Sequence, residues 1–157
     1  MAPRSKKPSV KYEEFLFWVS RPSTYYNFGL QHDRRADDPY YESHTLQFDV
    51  DCIHPDRCKG RKTEASFHPD PKMAAGSEFR RAPKDKPLAV GSIIVGKNRF
   101  EVSGFLPPDA CWNIGAAIAA GTIISMSANG RWPTRGHGYL NSISFHGPEF
   151  DPIDYIG

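Results

Sequence analysis

"HTLQFDVDC", residues 44–52, alternates without a break: Leu46, Phe48, Val50 and Cys52 point one way, and Thr45, Gln47, Asp49 and Asp51 point the other. A period of two sends successive side chains to opposite sides of a pleated backbone, so this stretch reads as a strand with one buried face. "RKTEASFH" (61–68) alternates more weakly, with Thr63, Ala65 and Phe67 on its apolar side. The two segments make a hairpin whose turn holds Pro55 and Asp56.

The pattern extends in both directions. "YEEFLFWVS" (12–20) is dense in aromatics and stops before Arg21-Pro22, which reads as a strand buried on both faces. "LAVGSIIV" (88–95) and "RFEVSGFL" (99–106) flank Gly96-Lys97-Asn98, a tight-turn sequence. Pro107-Pro108-Asp109 suits the first turn of a helix, where proline is tolerated and an acid meets the positive dipole end. Cys111, Ile114 and Ile118 follow at helical spacing and Gly121 is placed to stop it, so a helix is predicted over 108–120. "TIISMSAN" (122–129) and "YLNSISFH" (139–146) are two further strands. The expected fold is α+β: a mainly antiparallel sheet of six to seven strands, built as a sandwich or open barrel, with one covering helix.

Three segments lack a period. Residues 21–43 and 69–87 read as long surface loops, and "GPEFDPIDYIG" (147–157) as an acidic tail. Residues 1–9 form a loose basic tail, and 10–157 a single globular domain, the size one core supports.

Composition narrows the function classes. Hydrophobic residues at 39% and charged residues at 24% exclude a disordered chain. A net charge of +2 argues against a nucleic-acid surface, so the basic clusters at 57–62 and 80–86 read as solvated loop charge. Three cysteines cannot form a fully paired disulfide framework. The apolar run Phe15–Val19 is too short for a secretory signal, and 110–126 is too short for a membrane span and is broken by Asn113 and Gly121. A cytoplasmic protein that does not insert in membranes is expected.

Cys52, His54, Cys58 and His68 raise the question of zinc, which needs four converging ligands. If 44–52 and 61–68 pair as a hairpin, His68 stands at the far end from the turn and on the opposite face to Cys52. No metal and no cofactor is therefore expected, and Cys52 reads as a small core hydrophobe. The tripeptide "HPD" occurs at 54–56 and 68–70, and both copies read as proline turns. No nucleophile elbow, His-Glu-x-x-His or dinucleotide glycine pattern is present. Asp49 and Asp51, beside His44 or His68, are the carboxylates that could do acid–base work, though a solvent face is the better account of them.

Two places remain for binding. "NGRWPTRGHG" (129–138) gathers Arg131, Trp132, Arg135 and His137 between two strands; the competing account folds Trp132 back on the core. The 21–43 segment offers Tyr25 and Tyr26, with Tyr40 and Tyr41 further on. The leading expectation is a small binding domain without catalytic chemistry, taking a protein or small-molecule partner through these two segments. A metal-dependent or His/acid enzyme is the second reading, and a weak nucleic-acid binder using the basic loops the third.

Overall fold

The computed structural model describes residues 11–30, 40–74 and 89–156. The elements are β1 (Tyr12–Leu30), β2 (Tyr40–His54), β3 (Lys62–Pro69), β4 (Gly91–Val95), β5 (Phe100–Leu106), α1 (Pro108–Ala119), β6 (Ser125–Arg131), β7 (His137–His146) and α2 (Pro152–Ile156). The strands close into a barrel in the order β1-β2-β3-β5-β4-β7-β6, and β6 pairs back onto β1. Every join is antiparallel except β3 with β5. The expected α+β class and mainly antiparallel sheet are present; the sheet closes rather than staying open, because β1 finds a partner on each side.

The alternating segment sets the interior. Leu46, Phe48, Val50 and Cys52 all face the core, with Phe15, Phe17 and Val19 from β1 and Ala65 and Phe67 from β3. Leu46 pairs with Phe67 and Phe48 with Ala65. Phe48 and Phe67 stack at 5.5 Å, and Phe145 meets Phe48 edge-on at 5.9 Å. Each such ring contributes about 1.5–3 kcal/mol through removal from water. Leu16, of the opposite parity in β1, is buried as well, as expected for a strand covered on both sides.

α1 spans the predicted residues and lies across the barrel mouth where β5 ends and β6 begins. Its buried stripe is Cys111, Gly115 and Ile118. A Cβ at Gly115 would stand 3.0 Å from Leu46 Cδ1, so the missing side chain lets the helix seat on the core. Gly121, with φ of 74°, ends it. The segment expected as an acidic tail folds back instead: Phe150 stacks on His146 at 4.1 Å, and Ile153 and Ile156 of α2 share a groove with Trp18 and Ile53.

The largest departure concerns 21–43. Residues 21–30 and 40–43 are strand and not loop as expected, since β1 runs on to Leu30 and β2 begins at Tyr40; 31–39 lie outside the described residues. The 69–87 segment opens with the end of β3 and a 3-10 turn at Pro71–Met73. The basic tail and the 80–86 cluster lie outside the described residues.

Candidate functional site

β1 and β2 are longer than the barrel needs. β6 leaves β1 at Trp18, and β3 leaves β2 at Leu46. β1 then passes an irregularity between Ser20 and Ser23, where Arg21 adopts a left-handed φ of 48°. Beyond it Ser23 and Thr24 pair with Gln47 and Leu46, and from Tyr25 with Thr45 to Leu30 with Tyr40 the two strands pair only with each other among the described residues. A two-stranded ribbon is marginal in water unless something packs on it. Here α1 supplies the support. The Trp112 ring stacks on His44 at 4.1 Å, with 24° between planes, and lies 5.7 Å from Tyr26.

Directly paired residues of an antiparallel ribbon share a face. One face carries Tyr26, Phe28 and Leu30 with Tyr40, Glu42 and His44; the other carries Tyr25, Asn27 and Tyr41. Phe28 and Tyr40 stack at 5.5 Å. Although these rings touch one another, Tyr25, Tyr26, Phe28, Leu30, Tyr40, Tyr41 and Trp112 all remain exposed, Phe28 at 58%. Glu42 accepts a hydrogen bond from the Tyr26 hydroxyl, which holds that phenol above its ordinary pKa. His44 is buried beneath Trp112, its Nε2 has no partner among the described residues, and burial pushes its pKa down. A neutral imidazole at that place completes an apolar base for the arm.

The structure divides the sequence-predicted binding residues between the two ends of the barrel. Tyr25 and Tyr26 lie on the arm, on opposite faces. Arg131, Trp132, Arg135 and His137 lie at the other mouth, where Tyr12 pairs with Arg131. There Trp132 is folded back: it stacks on Phe15 at 6.0 Å, and Arg57 Cζ lies 3.0 Å from its ring centre. Arg57 also pairs with Glu13 at 2.5 Å. Arg131 and Arg135 are exposed, and the His137 ring packs 4.9 Å from Tyr139. Phe28, Leu30 and Trp112 were not singled out from sequence; their signal was the aromatic density of 25–30 and a tryptophan on the polar side of the helical stripe.

Groups with chemical potential are engaged elsewhere. Asp49 pairs with Arg21 at 2.5 Å and Asp51 with Lys62 at 3.3 Å, both on the outer surface. His44 faces the helix instead, so the acid–base grouping of Asp49 and Asp51 with His44 does not form. His68 lies on the outside beside Thr45 Oγ1 at 3.3 Å, whereas Cys52 faces the core. Burial raises the Cys52 thiol to about 12, lifts Cys58 and raises Cys111 to about 11. No group of three or more His, Cys, Asp or Glu side chains among the described residues could hold a metal ion. Ser127 Oγ and His146 Nε2 are 2.9 Å apart, a nucleophile–base distance, but Ser127 is buried and Phe150 stacks on the imidazole. That contact ties β6 to β7 across the barrel wall.

No protein-family model, no curated protein and no solved structure matches this chain. Among the described residues, no helix is long and apolar enough to cross a membrane.

Proposed function

We propose that this chain is a small binding domain whose working surface is the aromatic arm, and that the arm's partner is a protein. The observation that carries the reading is the position of Tyr25, Tyr26, Phe28, Leu30, Tyr40, Tyr41 and Trp112. Tyr26, Phe28, Leu30 and Tyr40 stay exposed on one face of a ribbon that takes no part in closing the barrel, with Trp112 of α1 beside Tyr26, and Tyr25 and Tyr41 are exposed on the other face. Single apolar residues on a surface need no explanation, but a contiguous patch rarely persists without a partner to cover it. Tyrosine and tryptophan bring large rigid area at low conformational cost and are enriched among residues that dominate protein interfaces.

The chemistry of the arm favours a protein over the other classes. Positions 23–30 and 40–46 contain no lysine or arginine, so a phosphate backbone would meet no cation there. α1 covers the base of one face at His44, and Phe28, Leu30 and Tyr40 beyond it are exposed, unlike groups in the concave pockets that hold small molecules. At the other mouth, Trp132 is occupied by Phe15 and Arg57, which leaves the 129–138 loop a structural part.

The test is capture of partners from a lysate of the source organism by tagged protein, compared among folded variants. Tyr26→Ser combined with Phe28→Ser should abolish specific capture, while Arg131→Ala with Arg135→Ala should leave it intact. Capture that survives the arm changes and fails with the loop changes would reverse the assignment.

A further inference from the structure

We propose that the arm pairs with a second copy of this chain, through antiparallel addition to the β1 edge Thr24–Leu30, which has no partner strand among the described residues, across a two-fold axis at Asn27. This rests on the arm being the working surface and adds what occupies it.

Within the barrel β1 has β2 on one side and β6 on the other. Val19 N–H still reaches Ile124 O at 3.0 Å; past it, the β6 side of β1 has no strand among the described residues. α1 stands over a face of the ribbon and not beside that edge, since its contacts run from Trp112 to Tyr26 and His44. An open edge is a row of backbone donors and acceptors ready to template another strand. Natural edges are blunted by charge, proline or a bulge. Here Pro22 and the irregularity at Ser20–Ser23 come before the free stretch, and Thr24–Leu30 contains no charged residue and no proline.

A copy of the same strand is the occupant this edge suits. "TYYNFGL" is balanced about Asn27, with Tyr26 and Phe28 one step away and Thr24 and Leu30 three steps away. Two-fold antiparallel pairing places Tyr26 of each copy opposite Phe28 of the other, an aromatic cross-strand pair of the kind that stabilises sheets. Residues paired in this way share a face, so the aromatic faces of both ribbons merge into one four-stranded surface. The strands run in opposite directions, which puts the two barrels at opposite ends of that sheet. The contact is isologous and closes on itself, giving a dimer and not a fibre. A charged foreign strand would find little to answer it, because residues 23–30 and 40–46 hold a single carboxylate, Glu42, and no lysine or arginine.

Sedimentation equilibrium of the full chain, from low micromolar to near-millimolar concentration, tests the proposal. The wild type should be dimeric. Asn27→Lys and Asn27→Asp should each be monomeric, since like charges would meet on the axis, with dissociation constants raised roughly tenfold or more. An equimolar mixture of the two variants should recover the dimer as a Lys–Asp pair. Circular dichroism of each variant checks that it is folded, and the recovery itself excludes misfolding as the cause. A wild type that stays monomeric throughout, or a dimer indifferent to both changes, overturns the self-pairing. If the monomeric protein still loses a different captured partner on Tyr26→Ser with Phe28→Ser, the arm remains the working surface and only its occupant was misassigned.

Discussion

Replacing Trp132 by alanine separates a ring that closes the barrel from one held out for a ligand. Trp132 is half-buried, stacks on Phe15 at 6.0 Å with 12° between planes, and lies beneath Arg57 at 3.0 Å. Full burial of a tryptophan removes about 200 Å² from water, equivalent to about 5 kcal/mol, so half burial gives about 2.5 kcal/mol. Stacking on Phe15 contributes about 0.5–1.5 kcal/mol more. The guanidinium over the ring adds about 0.5–1 kcal/mol at a partly exposed site. The unfolded chain already shields part of its apolar surface, which brings the expected loss to about 3 kcal/mol. In a chain of this size each kcal/mol moves Tm by about 2–4 °C, so Tm should fall by about 10 °C. Thermal unfolding by circular dichroism, supported by urea midpoints, measures this. Arg131→Ala, on the exposed neighbour, should stay within about 0.5 kcal/mol of wild type. A Trp132→Ala protein whose Tm moves by less than about 2 °C would show that the ring does little for the barrel mouth, and the 129–138 loop would return as a binding surface.

Three further outcomes are expected. A Cβ on Gly130 would stand 2.2 Å from Tyr139 O and 3.0 Å from Leu140 Cα, both backbone, so Gly130→Ala should cost about 3 kcal/mol or yield insoluble protein; a soluble variant of unchanged Tm contradicts the β6–β7 packing. His44 has its pKa lowered from 6.5 by burial, so the unfolded chain binds the extra proton; this contribution is complete above pH 6.5 and is lost as pH falls below it. His44→Phe should remove that component from urea midpoints compared at pH 8 and pH 5, and an identical pH slope in both proteins would count against a buried neutral imidazole. Cys52, Cys58 and Cys111 are buried, with the Cys52 thiol raised to about 12, so at neutral pH the native chain should react with Ellman's reagent far more slowly than the urea-unfolded chain; rapid labelling of any one of them would mean the fold opens there.

The parts of the fold legible from sequence are those where burial leaves a period. Leu46 to Cys52 face a packed interior on one side and water on the other, and the hairpin partner followed, with Leu46 opposite Phe67. The Pro107–Asp109 start and Gly121 stop bracket a helix whose Cys111 and Ile118 are indeed inward. The arm escaped because burial does not write its pattern. Tyr25 and Tyr26 lie on opposite faces, and both are exposed, so no polar–apolar alternation exists to be read. Barrel closure escaped for another reason: the aromatic pattern of 12–20 says that it is a strand, but not that β6 is its second neighbour. Trp132 was legible as two competing accounts, and only Arg57, arriving from the β2–β3 turn, decides between them.

Closure by β1 and β6 also has a kinetic meaning. Tyr12 pairs with Arg131 and Trp18 with Ser125, contacts between residues far apart in the chain, and a topology dominated by such contacts folds slowly because long loops must close before the contacts form. During synthesis Phe15 and Phe17 must wait on a half-satisfied strand until β6 emerges from the ribosome. Truncations that end within α1 should therefore aggregate rather than populate a smaller stable unit, and refolding should be slow for a chain of this length.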